Sequence, residues 1–212
     1  MKYLRHHLFW VWCGALLVFL VFMTGVLTHA NWISRFDSQI ASLIRGTATP
    51  QLTLLIIHFT KLVNVLPVIA FTLGMTLILI LFRKSRAAFF LLINSLGLAG
   101  PVNTLFKYLI NRPRPTFHHL VSVHSTSFPS GHSMSAMMLG GSLIIIGNHF
   151  LKSQSRRFIF DLLVGCLILL VGLSRIYVGV HFASDVVGGW SLGLSLLLSS
   201  RFIFEKFLGG TA

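Results

Sequence analysis

The sequence predicts an all-α, polytopic membrane protein: a bundle of six transmembrane helices forming a single domain over residues 1–212. Three observations carry this expectation. Of the 212 residues, 55% are hydrophobic and 10% are charged, against about a quarter charged in soluble chains. Several apolar runs reach the roughly 20 residues that a helix needs to cross a bilayer. Lysines and arginines fall in short clusters between these runs, as the positive-inside bias produces. The net charge of +13 therefore does not indicate a nucleic-acid partner, because the cations form no continuous basic face.

The first span runs over Leu8–Leu27. It follows Lys2 and Arg5 and is longer than the roughly 7–15 residues of a secretory signal core, so a retained span is expected. In the polar stretch Thr28–Thr49, Ile33, Phe36, Ile40 and Ile44 recur at helical spacing, with Arg35, Asp37, Gln39 and Arg45 off the stripe. This pattern predicts a short helix on the membrane surface, with a plain loop as the alternative. Leu52–Leu62 is an apolar approach segment broken by His58 and Lys61.

Span two covers Val63–Phe82, and Arg83–Arg86 marks a basic turn. Span three, Ala87–Phe106, contains Gly97, Gly100 and Pro101, which predict a kink. A His-, Arg- and Pro-rich segment, Lys107–Gly131, lies outside the membrane. Span four is His132–Leu151, followed by Lys152, Arg156 and Arg157. Span five is Phe158–Val178, with Asp161 one turn after Arg157 as a local ion pair. Span six is Asp185–Phe204, where Gly189 and Gly193 have the small-xxx-small spacing of closely packed helices. Cys13 and Cys166 fall in apolar runs and read as small fillers of helix interfaces.

Placing all three basic clusters in the cytoplasm puts both termini inside. It also puts Lys107–Gly131 and Val178–Ser184 together on the outer face. The chemically loaded residues thus share one end of the bundle. Lys107, Arg114 and Arg175 supply fixed positive charge for a phosphate, although Lys107 and Arg112 also suit snorkelling anchors. Ser130-Gly131-His132 opens span four, where free backbone N–H groups and the helix dipole favour an anion. His181 and Asp185 are four apart, so the carboxylate can fix the ring tautomer and leave the other nitrogen to attack. A structural His–Asp pair is the plainer alternative. A zinc site built from His118, His119, His124, His132 and His181 is disfavoured by the surrounding cations, and no cysteine or second carboxylate joins the cluster. The three loop histidines read as rim residues.

Three segments resemble the signature motifs of the type 2 phosphatidic acid phosphatase superfamily, the lipid phosphate phosphatases. They are Lys107 with six residues before Arg114-Pro115; Pro129-Ser130-Gly131-His132; and Ser174-Arg175, five residues, His181, three residues, Asp185. The motif-bearing core spans residues 87–204. The resemblance implies a small bacterial enzyme of the cytoplasmic membrane, with its site facing outside. It implies metal-independent hydrolysis, without a cofactor, of a lipid phosphate or pyrophosphate such as phosphatidylglycerophosphate, phosphatidic acid or undecaprenyl pyrophosphate. His181 would be the nucleophile, Asp185 its partner and His132 the acid. Lys107, Arg114, Ser130, Gly131 and Arg175 would bind the phosphate. The competing expectation is a lipid phosphate transporter or binding protein using the same pocket. Ionisable residues gathered at one end of the spans, away from the midplane, disfavour transport.

Overall fold

The computed structural model describes residues 2–116, 118–123 and 125–207, and every regular element among them is helical. Helix α1 (Lys2–Leu27) is followed by α2 (Asn31–Arg45), α3 (Pro50–Leu62) and α4 (Val65–Leu81). Next come α5 (Ser85–Leu92), a π-helical stretch (Ile93–Leu98) and α6 (Ala99–Ile110). The last three helices are α7 (Gly131–Phe150), α8 (Gln154–Tyr177) and α9 (Ala183–Phe207).

Four continuous stretches are long and apolar enough to cross a membrane: α1, α5 through α6, α8 and α9. The pair α2 and α3 also qualifies, although it is bent by 115° at its break. This is an integral membrane protein. By this measure the spans number four or five, short of the expected six. The two remaining expected spans explain the difference: α4 has only 17 residues, about 25 Å of helix. The 20-residue α7 is long enough but is diluted by glycine, serine, histidine and asparagine.

Span three, where a kink is expected, carries a π-helical stretch (Ile93–Leu98) just before Gly100 and Pro101, within one continuous span. Such insertions are rare and commonly mark functional positions. Small residues let α7 and α9 approach closely: a Cβ on Gly189 would lie 2.5 Å from the carbonyl oxygen of Ser130. The spacing of Gly189 and Gly193 therefore does serve helix packing. Around this contact Phe19 of α1, Phe128, Met134 and Met138 form a buried core, with Phe106 edge-on to Phe19.

Three expectations are corrected. The apolar stripe of α2 packs on protein, with Phe36, Ile40 and Ile44 against Ile176, Ala183 and Val186 of α8 and α9. Asp37, placed off that stripe, is 4% exposed, because it turns toward Arg112 and the start of α9. Asp161 accepts two hydrogen bonds from Asn148 Nδ2, at 2.8 and 3.0 Å, while Arg157 donates to the Leu151 carbonyl. Cys13 is half-buried and Cys166 is exposed on α8, so the latter fills no helix interface.

Candidate active site

Local geometry brings the three signature segments to one end of the bundle. Asn111, with φ of +46°, closes α6 in the left-handed conformation and leaves Lys107 in its last turn. The next residues read Arg112-Pro113-Arg114-Pro115, and each arginine precedes a proline, which biases it toward extended backbone. Arg114 faces the groove described below, and Arg112 faces the other way, toward α2 and α9. Arg112 is thus a buried bridge between two carboxylates and not a snorkelling anchor. At the end of α8, Gly179 takes φ of +79°, which a side chain would strain, and a Cβ there would sit 2.8 Å from the His118 carbonyl. The turn hands the chain to His181 and then α9. A backbone bond from Ser130 N–H to Asp185 O, 2.9 Å, ties the second segment to the third.

A groove of about 820 Å³ opens at this end. Its polar part is lined by Lys107, Arg114, Gly131, His132, Arg175 and His181. Its other wall is apolar and includes Val65, Val68, Ile69, Leu96 and Ala99. Six of the eight site residues named from sequence thus share one cavity. The other two lie behind it. Ser130 is fully buried and caps α7, accepting from Ser133 N–H at 3.4 Å and Ser133 Oγ–H at 2.9 Å. Asp185 is fully buried behind His181.

His181 Nδ1 lies 3.3 Å from Asp185 Oδ2. The same oxygen accepts from Phe182 N–H at 2.8 Å and from Ser127 Oγ–H. An acceptor-only carboxylate there selects the tautomer with hydrogen on Nδ1. Nε2 is left as an acceptor, and Arg114 Nη1 lies 3.3 Å from it. Burial, with help from Arg114 and Arg175, pulls the His181 imidazole down to about 4, against the opposing pull of Asp185. The ring is therefore neutral at pH 7 and keeps a lone pair facing the groove.

The cations are held before any anion arrives. Lys107 Nζ donates to Ser125 Oγ at 3.0 Å and to the Thr126 carbonyl at 2.5 Å. Arg114 donates to the carbonyls of Ser125 and Val180 at 2.5 and 2.6 Å. Arg175 Nη1 donates to Thr60 Oγ1 at 2.5 Å, and its buried Nε has no partner among the described residues. An unpartnered guanidinium donor in a groove wall is a place for an anion oxygen. His132 Nε2 contacts Asn64 Oδ1 at 3.2 Å.

Sequence reasoning missed Asp37, Thr60, Asn64, Arg112 as a bridge, and Ser127. The spacing from Lys107 picks out Arg114 but not Arg112. No motif marks the others. His118 and His119 lie in the loop, where His119 Nε2 contacts the Pro115 carbonyl at 2.8 Å, and neither lines the groove. His124 lies outside the described residues. Among those described, no three His, Cys, Asp or Glu side chains group as metal ligands.

The pattern of the PAP2 superfamily matches residues 88–207, taking in all three segments. The chain belongs to this superfamily. It is 33% identical over 196 residues to phosphatidylglycerophosphatase B of Bacillus subtilis, covering 90% of this chain and 93% of that one. An undecaprenyl-diphosphatase of Sulfolobus acidocaldarius is 30% identical over 124 residues, 56% of each chain. The crystal structure of the transmembrane PAP2-type phosphatidylglycerolphosphate phosphatase from Bacillus subtilis superposes with a TM-score of 0.83 at 29% identity. That superposition covers 92% of this chain and 96% of the other. The Aquifex aeolicus LpxE structure shares the fold, with a TM-score of 0.57 at 24% identity, over 77% of this chain and 93% of that one.

Proposed function

We propose that this PAP2 protein hydrolyses the phosphate or pyrophosphate of a membrane lipid through a phosphohistidine on His181. The observation that carries the reading is the His181 ring, braced by Asp185 on Nδ1 and lining a groove that also holds Lys107, Arg114 and Arg175. A protein that only bound or carried lipid phosphates would have no need of a braced nucleophile.

In the first step Nε2 attacks phosphorus and the bond to the leaving oxygen breaks. His132 gives that oxygen a proton, so an alcohol or a lipid monophosphate departs. The imidazole's positive charge is balanced by Asp185. The three cations and the N-terminal N–H groups of α7, Gly131 first, stabilise the charge on the equatorial oxygens. In the second step His132, now a base, takes a proton from water. The resulting hydroxide attacks phosphorus and restores His181 while inorganic phosphate leaves. The chemistry needs no metal, because the cations and backbone donors supply the charge stabilisation.

The apolar wall supports a lipid substrate: a headgroup phosphate at the polar end leaves its tail along Val65, Val68 and Leu96. Phosphatidylglycerophosphate and undecaprenyl pyrophosphate are the leading candidates, after the relatives' names, with phosphatidic acid as a simpler monoester. The reading includes six spans, both termini in the cytoplasm, and a groove opening on the outer face of a bacterial cytoplasmic membrane. The test is phosphate release by purified protein from these three lipids in detergent with excess EDTA. Release from at least one is expected. Loss of activity with EDTA and its recovery with zinc or magnesium would contradict the mechanism.

A further inference from the structure

We propose that Asp37 and Arg112 form a buried carboxylate–guanidinium bridge that positions Asp185, making Asp37 of α2 a positioning residue of the reaction. The proposal rests on the reading of His181 as the nucleophile. Asp37 precedes the matched family region, which begins at residue 88.

The geometry is closed on every side. Arg112 Nη1 donates to Asp185 Oδ1 at 2.7 Å, and Nη2 donates to Asp37 Oδ2 at 2.8 Å. Both carboxylates are buried, with side chains 0% and 4% exposed. The guanidinium also stacks on the Phe182 ring, 4.1 Å from its centroid. Asp37 reaches past Arg112 to the start of α9, accepting from Ser184 N–H and from Ser184 Oγ–H, each at 2.8 Å. One carboxylate therefore satisfies a free N–H of the α9 first turn, where anions are favoured. It also holds the cation that grips Asp185.

The charges explain why two acids are needed. Asp185 alone would face Arg112 undiluted, and its negative charge would be drawn to Oδ1, away from His181. With Asp37 sharing the guanidinium, Oδ2 keeps the electron density that supports the imidazole when it gains charge at phosphorus. The planar fork of Arg112 is suited to this because it reaches two separate carboxylates at once. None of these contacts lies in the groove, so phosphate binding itself does not depend on them.

The experiment compares purified full-length wild type with Asp37→Asn, Arg112→Lys and the double variant, in detergent micelles of phosphatidic acid. Three quantities are read: kcat, KM and the inhibition constant of tungstate. Asp37→Asn is expected to lower kcat about tenfold or more, as loss of a supporting partner does, with KM and tungstate inhibition within about threefold. The double variant should cost no more than the worse single one, because both break the same bridge. An unchanged kcat in Asp37→Asn would overturn the proposal. So would parallel loss of kcat and tungstate inhibition, which would mean collapse of the groove, or fully additive losses. If Asp37→Asn does not fold, Arg112→Lys alone carries the same expected and overturning results. Wild type that releases phosphate from no lipid contradicts the functional reading itself, a different failure.

Discussion

At the scale of single residues, the proposed chemistry depends on keeping a buried histidine neutral. Burial lowers the folded-state pKa of His181 to about 4, against about 6.5 for an unfolded chain. The sign follows directly. Between these values the unfolded state holds a proton that the folded state does not, so stability contributed by this group is lost as pH falls from 6.5 toward 4. We expect the thermal unfolding midpoint in detergent to drop across that window, and His181→Gln to flatten the drop. Equal slopes for wild type and variant would place the acid sensitivity elsewhere. The grouping of His181, His132 and the three cations on one groove, with Asp185 behind it, was legible beforehand, because these residues occur at fixed separations. Thr60 and Asn64 were not. Their partners Arg175 and His132 lie 115 and 68 residues away, and an isolated threonine or asparagine near an apolar run carries no pattern.

At the scale of elements, the site exists because α7 and α9 touch at their first turns. Gly189 faces the Ser130 carbonyl, and a Cβ would stand 2.5 Å from it. Backbone cannot yield as a flexible side chain does, so Gly189→Ala should separate the two helix starts. An overpacked contact of this kind costs about 1–3 kcal/mol. The displacement would also move His132 relative to His181. A fall in both melting temperature and phosphate release is expected, and an unaffected Gly189→Ala enzyme would show that the close approach is dispensable. The glycine spacing signalled this contact, but its consequence for the candidate site depends on both helices bearing their proposed catalytic residues at the same end. The stripe of α2 was readable as amphipathic. That it packs on α8 and α9 involves contacts distant in sequence, among them Asp37 to Arg112 and to Ser184, which no local pattern signals.

At the scale of the whole molecule, contacts such as Arg114 to Val180 and Leu120 N–H to Val178 O bring the two loaded segments to one end, as the basic clusters predicted. In a variant with Cys13 and Cys166 replaced by serine, we expect Ser122→Cys to react with an impermeant maleimide on intact cells. Ser153→Cys, at the opposite end, should react only after permeabilisation. The reverse pattern would invert the proposed topology. The span count was less legible than the helix boundaries, because α7 trades apolarity for the small residues its packing needs.

The central claim is that His181 carries the phosphoryl group, and trapping that intermediate tests it most directly. Wild type, His132→Ala and His181→Ala would be mixed with a labelled aryl phosphate whose leaving group needs no proton. Acid-labile label should then be quantified on the protein. The account predicts none on His181→Ala and accumulation on His132→Ala, where water activation is slowed but the first step survives. Label on His181→Ala and none on His132→Ala would contradict it and exchange the two roles.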